Sequence, residues 1–272
     1  MTREELVTQI HAKQNMLCVG LDTDIKRLPQ GLAQNYEDPV FEFNRRIIEA
    51  TQKHCVAYKF NIAFYEALGP SGWESLERSL DLVPSTHLTI ADAKRGDIGN
   101  SSGLYARTFF ETYDFDAVTV APYMGKDSLE PFFSYEGKWV IILGLTSNPG
   151  SRDIQQLRLD NGARVFQEVI RAASSWGHEG NTMFVIGATK ASSLTDIRLE
   201  IPDHFLLVPG IGKQGGSLSD TLQNGLNDDY GLLLNSSRGI IYAGEGTDFD
   251  AQAGLAAKEA AGAMENWLRE FR

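Results

Sequence analysis

Cysteine is almost missing from this chain, with Cys18 and Cys55 the only two among 272 residues, and each lies inside an apolar run. So few cysteines exclude a disulfide-built scaffold. No C-x-x-C or H-E-x-x-H spacing occurs, so zinc has no ligand pattern to use. Two buried free thiols are expected, as suits a reducing compartment. Long hydrophobic runs are absent as well. Met1-Thr2-Arg3-Glu4-Glu5 is charged, and the first apolar run, Met16 to Leu21, is too short for a signal core or a membrane span. A cytoplasmic protein with no membrane contact is therefore expected. Positive charge is in deficit: 25 Lys and Arg against 36 Asp and Glu give a net charge of −11. That balance argues against non-specific binding of nucleic acid. A small anionic ligand is still compatible with it, given a local cluster of Lys, Arg and backbone N–H groups. The chain also lacks a G-x-G-x-x-G after its first apolar run, which counts against an open dinucleotide-binding sheet. No low-complexity segment or charge block marks a domain boundary.

What is present is ordinary globular material, 42% hydrophobic and 22% charged. Short apolar runs rich in β-branched residues alternate with longer amphipathic stretches. Strands are expected at Met16–Leu21, Val56–Phe60, His87–Ala91, Ala117–Ala121, Trp139–Leu145, Met183–Gly187, Phe205–Val208 and Leu232–Asn235. Helical patterns lie at Pro39–Gln52, Trp73–Leu80, Ser101–Thr112, Ala163–Trp176, Ser192–Leu199 and Asp250–Phe271. Repeated βα units imply a parallel sheet, and eight of them without a linker fit an α/β fold of the closed (β/α)8 TIM-barrel type. A single domain over residues 1–272 is the expectation.

Polar residues that look out of place follow these strands directly. Asp22 ends the first, Lys59 closes the second, and Asp92 and Lys94 close the third. Thr146 and Ser147 follow the fifth, Gln214 lies in the loop after the seventh, and Arg238 follows the eighth. In a barrel such positions meet on the face where active sites are built. A bare D-x-K-x-x-D pattern is usually a salt-bridged strand end. Here it closes a buried strand, where Asp92 and Lys94 would share a face by simple alternation and Asp97 falls in the turn beyond Gly96. Charge of that density is costly to bury unless chemistry uses it. Pro209-Gly210-Ile211-Gly212-Lys213-Gln214-Gly215-Gly216 and Ser236-Ser237-Arg238-Gly239 stand where barrels of this type build a phosphate cradle. Glycines there let backbone N–H groups approach an anion, and an arginine can grip it with two donors.

Leu21-Asp22, Tyr58-Lys59-Phe60-Asn61, the run from Asp92 to Asn100, Thr146-Ser147-Asn148-Pro149-Gly150, Gly210 to Gly216 and Ser237-Arg238 together resemble the orotidine 5′-phosphate decarboxylase family. The form of the third-strand motif, D-A-K-R-G-D-I-G-N, is similar to one bacterial branch of it. The resemblance implies a dimeric barrel that converts orotidine 5′-monophosphate to uridine 5′-monophosphate and CO2 without metal or organic cofactor. It implies that Lys59, Asp92, Lys94 and Asp97 form a charged array, with Asp97 donated across a homodimer interface and Ile98 and Ser101 beside it. Asp22 would bind ribose hydroxyls with Lys59, Ser147 would read the pyrimidine, Gln214 and Arg238 would hold the phosphate, and Ser237 would be a further substrate-binding residue. Ser101 stands where many members carry threonine, and the segment 150–181 carries no motif of the family.

The chemistry follows from the substrate. Loss of CO2 from C6 leaves a carbanion in an orbital perpendicular to the ring π system, so resonance cannot spread its charge and electrostatics must stabilise it. Lys94 would face that charge and deliver the proton, while Asp92 and Asp97 would keep it protonated. Two alternatives share the fold. One is a metal-dependent sugar-phosphate decarboxylase or aldolase, whose second strand would carry a carboxylate for Mg²⁺ where this chain has Lys59. The other is a catalytically silent nucleotide-binding barrel.

Overall fold

The computed structural model describes residues 1–29, 31–187, 193–211 and 216–271. Eight parallel strands follow one another around a closed barrel in chain order: β1 Leu17–Gly20, β2 Ala57–Asn61, β3 Leu88–Arg95, β4 Ala117–Val120, β5 Trp139–Leu145, β6 Thr182–Ile186, β7 Phe205–Pro209 and β8 Leu232–Ser236. Every expected strand is found, and the fold class is the expected (β/α)8 barrel. The largest difference in extent is at β3, which runs to Arg95 instead of stopping at Ala91. Its pairing continues because the Arg95 carbonyl accepts the Ala121 N–H at 2.8 Å.

Helices fill most of the connections. Pro39–Thr51, Pro70–Leu80, Gly99–Arg107 (continued by a π-helical turn over Thr108–Thr112), Val165–Ser174, Leu194–Glu200 and Phe249–Phe271 overlap the helical patterns in the sequence. Of the expected Ser192–Leu199 helix, Ser192 lies outside the described residues. Arg3–Lys13, Ile62–Glu66 and Leu218–Gly225 are additional helices. The first of them buries only Leu6 and Ile10, too little apolar signal to stand out in the sequence.

Contacts divide the chain into two compact units, each described by itself: Met1–Glu4 with Lys94–Leu234, and Glu5–Ala93 with Asn235–Arg272. In the second unit, β1 pairs with β2 through Gly20 opposite Lys59, and β2 pairs with β3 through Asn61 opposite Asp92. The helix Pro39–Thr51 buries Val40, Phe43, Ile47 and Ile48, the three- and four-residue spacing of one helical face. Phe43 stacks on Phe249 at 5.0 Å between ring centroids, and Phe249 opens a long helix whose buried residues recur at Ala253, Ala257, Ala261, Met264 and Leu268. Both cysteines are free and buried, as expected. Burial pushes the Cys55 thiol up to about 12, which leaves it protonated and unreactive at neutral pH.

The start of Pro39–Thr51 gives a direct stability test. Asp38 Oδ1 accepts the Phe41 N–H at 2.9 Å and the Ser75 hydroxyl at 2.8 Å, while Oδ2 takes Arg78 Nη1 at 3.0 Å. Asp38→Ala removes the helix cap and the Arg78 ion pair, while the Ser75 hydroxyl keeps its bond to the Ser71 carbonyl at 2.9 Å. Urea melts should show a loss of about 1–2 kcal/mol, and an unchanged midpoint would contradict the capping role.

In the first unit, β4 to β7 pair in unbroken parallel register apart from one irregularity in β5 between Leu143 and Leu145. Trp139 packs edge-on against Phe205 at 6.1 Å, and the Arg3 guanidinium lies 5.2 Å from the Phe205 ring centroid. Arg198 donates to the carbonyls of Gly225, Ile201, Pro202, His204 and Gly231 and so ties several loop ends together. Among the described residues no helix is long and apolar enough to cross a membrane.

Candidate active site

In the second unit, the carboxyl ends of β1, β2 and β3 bring three of the anticipated charges into one cluster. Lys59 Nζ donates to Asp92 Oδ2 at 3.0 Å and to Asp22 Oδ1 at 3.4 Å. The side chains are 5%, 13% and 19% exposed respectively, so the ammonium is buried and the carboxylates keep a narrow path to solvent. Strand register produces the cluster, because Gly20 stands opposite Lys59 and Asp22 follows two residues later. The Leu21 N–H bonds the Lys59 carbonyl at 2.8 Å. Burial works against the Lys59 ammonium, but the Asp92 and Asp22 carboxylates outweigh it and leave its pKa raised. The stabilisation carried by that charge is complete below the ordinary lysine value of 10.5 and is lost only as pH climbs beyond it, so Lys59 stays cationic through the neutral range.

A polar scaffold fixes the Asp22 loop. Tyr65 Oη donates to the Leu21 carbonyl at 2.9 Å, and the Thr23 hydroxyl donates to Asn44 Oδ1 at 2.6 Å. Tyr242 Oη accepts the Asp24 N–H at 2.7 Å and donates to the Asp22 carbonyl at 3.3 Å. Arg27 lies over the Tyr242 ring, 3.9 Å from its centroid. After β8, Ser237 leads into the short helix Arg238–Ile241, and Arg238 is exposed.

The first unit carries the other anticipated residues. Lys94 has a backbone φ of +50°, which bulky residues rarely adopt, and its N–H is anchored by Thr119 Oγ1 at 2.9 Å. The simple alternation expected to place Asp92 and Lys94 on one face therefore ends at this residue, because left-handed backbone resets side-chain direction. Strain of this kind concentrates at functional sites, where surrounding structure holds it in place. Lys94 is exposed, whereas Lys59 is buried. Asp97 Oδ1 accepts the N–H of Ile98 at 2.7 Å, and the helix beginning at Gly99 carries Ser101 on its exposed first turn. Gly96 is required beneath this loop, since a Cβ there would come within 2.9 Å of the Ala121 carbonyl oxygen.

Ser147 is exposed in the turn after β5. Gln155 holds that turn: its Oε1 accepts the Thr146 N–H at 2.8 Å and its Nε2 donates to the Thr146 hydroxyl at 2.8 Å. Behind it, a Cβ on Gly187 would lie 2.8 Å from the Ser147 backbone nitrogen. Gln214 and Lys213, together with Gly212 and Gly215 of the glycine-rich loop, lie outside the described residues.

Comparison with known proteins decides the family. The chain matches the Orotidine 5′-phosphate decarboxylase / HUMPS family over residues 15–248. It belongs to that family. It is 52% identical over 268 residues to an orotidine 5′-phosphate decarboxylase of Phocaeicola vulgatus, covering 97% of this chain and 98% of the relative. A Bacteroides fragilis orotidine 5′-phosphate decarboxylase is 50% identical over 272 residues, with 99% of each chain covered. Among solved structures, the OMP decarboxylase of Leishmania donovani superposes with a TM-score of 0.81 at 36% identity, covering 98% of this chain and 99% of that one.

Within this family framework, the residues that sequence inspection passed over are those that hold others in place. Thr119 sits inside an apolar strand and Gln155 inside a connection with no periodicity. Only Gly187, at the end of β6, carried a visible signal, as a glycine where the chain must approach another backbone closely.

Proposed function

We propose that this chain decarboxylates orotidine 5′-monophosphate to uridine 5′-monophosphate and CO2 in pyrimidine biosynthesis, as the names of its relatives indicate. The observation that carries the chemistry is the buried Lys59 ammonium held between Asp22 and Asp92, on strands whose next charged residue is Lys94 in left-handed backbone. Lys59 already supplies the positive charge that two carboxylates would otherwise demand from a bound cation. That arrangement favours a reaction run by fixed side-chain charge.

In this mechanism the C6–carboxylate bond of the substrate breaks and its electron pair remains on C6. The Lys94 ammonium faces that developing charge and transfers a proton to C6. CO2 and uridine 5′-monophosphate leave, and the neutral Lys94 amine recovers its proton from solvent. Asp92 and Asp97 supply negative charge beside the Lys94 ammonium and orient it toward C6. A preorganised ammonium stabilises a localised carbanion without the dipole reorganisation that bulk solvent would need. Asp22 and Lys59 bind the ribose hydroxyls, Ser147 reads the pyrimidine, and Ser237, Arg238 and Gln214 hold the phosphate. Product analysis tests the reaction: uridine 5′-monophosphate and CO2 should form one for one from orotidine 5′-monophosphate. Uridine 5′-monophosphate without matching CO2, or no product at all, would reject it.

The same proposal includes a homodimer in which Asp97, with Ile98 and Ser101, completes the partner's site. Support comes from exposed apolar side chains on the segments that follow β3 and β4: Ile98 is 63% and Tyr123 87% exposed, Leu104, Tyr105 and Met124 are also exposed, and Met124 lies beside Gly96. Lys94→Ala and Asp97→Ala chains, each inactive alone, should regain partial activity when unfolded together and refolded as a mixture. One site of each hybrid then has both groups intact. A mixture as inactive as its components would show that Asp97 acts within its own chain.

A further inference from the structure

Just inside the end of β8, the side chain of Asn235 is buried, and its Oδ1 has no hydrogen-bond partner among the described residues. Its Nδ2 donates to the Ser237 hydroxyl at 3.3 Å. The Ser237 side chain fills the space that a Cβ on Gly20 would need: such a Cβ would lie 1.9 Å from Ser237 Oγ and 3.1 Å from Asn235 Oδ1. Gly20 thus leaves a notch in β1, opposite Lys59 and two residues before Asp22, and β8 folds a serine hydroxyl into it. The Ser237 backbone lies outside both the helical and the extended regions, with φ −108° and ψ −89°, and Arg238 follows immediately.

These contacts define the hydroxyl's role. Ser237 Oγ accepts from Asn235, so its own hydrogen is unspent, and no acceptor for it is found among the described residues. Buried polar groups are nearly always paired in folded proteins, and an amide left half-satisfied beside a half-satisfied hydroxyl is an arrangement prepared for a ligand. We infer that Asn235 and the Gly20 notch are positioning elements that preset the Ser237 hydroxyl as a hydrogen-bond donor to the phosphate of the nucleotide. The inference rests on the phosphate role proposed above for Ser237 and Arg238. It adds that this donor is oriented before the ligand arrives, by a residue that does not itself touch the phosphate.

Asn235→Leu, Ser237→Ala, the double variant and Gly20→Ala test this in the full-length protein. Steady-state decarboxylation is measured together with competitive inhibition by uridine 5′-monophosphate and by uridine, which lacks the phosphate. Losing one oriented donor to a charged group should raise KM and weaken uridine 5′-monophosphate about tenfold, with a smaller effect on kcat. Uridine inhibition should be unchanged. The double variant should be no worse than Ser237→Ala, because both changes remove the same bond. Gly20→Ala, which evicts the hydroxyl from its notch, should reproduce the same pattern and covers the case in which Asn235→Leu does not fold. Equal losses for uridine and uridine 5′-monophosphate would overturn the inference in favour of a purely structural role. So would additive losses in the double variant. Failure of the decarboxylase reading would be visible separately, as absence of turnover in the unmodified protein.

Discussion

Lys94→Ala should lower kcat by roughly 10⁴-fold or more while the protein still folds and still binds uridine 5′-monophosphate. The magnitude follows from removing two contributions at once. Positioned proton transfer contributes about 10²–10⁴-fold. Loss of a preorganised electrostatic contact to developing charge costs about 10²–10³-fold. Bulk water offers neither a positioned proton donor nor a fixed positive charge in place of Lys94. Folding is spared because Lys94 is exposed and its anchoring bond to Thr119 uses the backbone N–H, which alanine retains. The left-handed φ of +50° is still disfavoured for alanine, so Tm should move by only a few degrees. Single-turnover kinetics separate the chemical step from product release. A variant that keeps a tenth of the unmodified kcat would remove Lys94 from the role of proton donor.

Lys59→Met should be costly in both stability and activity. Its ammonium is the hydrogen-bonded counter-charge between Asp92 at 3.0 Å and Asp22 at 3.4 Å. Removing one partner of a buried pair costs about 3–5 kcal/mol because the remaining charge is left uncompensated. Asp92 and Asp22 keep 13% and 19% of their side-chain surface in solvent, which brings the expected loss down to about 2–3 kcal/mol. The loss should shrink as pH falls and the stranded carboxylates take up protons. Adding Asp92→Asn should restore much of the stability and none of the activity. Denaturant melts of the single and double variants decide the point. If the double variant is as unstable as Lys59→Met, the cost lies in packing and not in charge.

The barrel was legible because its strands are short, fully buried and separated by amphipathic stretches, which leaves few other architectures. Lys59, Asp22 and Asp92 were legible as polar residues closing apolar runs, and strand register then brings them together. The backbone at Lys94 was hidden, because a residue's φ follows from what anchors it. Here the anchor is Thr119, twenty-five positions away in another strand. Gln155 was hidden for a similar reason: its carboxamide substitutes for a backbone partner of Thr146 from a loop without periodicity. Asn235 reads in sequence as the polar end of a strand. Its half-satisfied amide becomes visible only once Gly20 and Ser237 are placed around it.

The most direct test of a decarboxylase that works by fixed side-chain charge is the ultraviolet absorbance of orotidine 5′-monophosphate mixed with purified protein, with and without EDTA. Loss of the substrate band at the same rate in both samples is the predicted result. Turnover abolished by EDTA and restored by a divalent cation would contradict the account, because the charge that Lys59 and Lys94 are held to supply would then come from a metal.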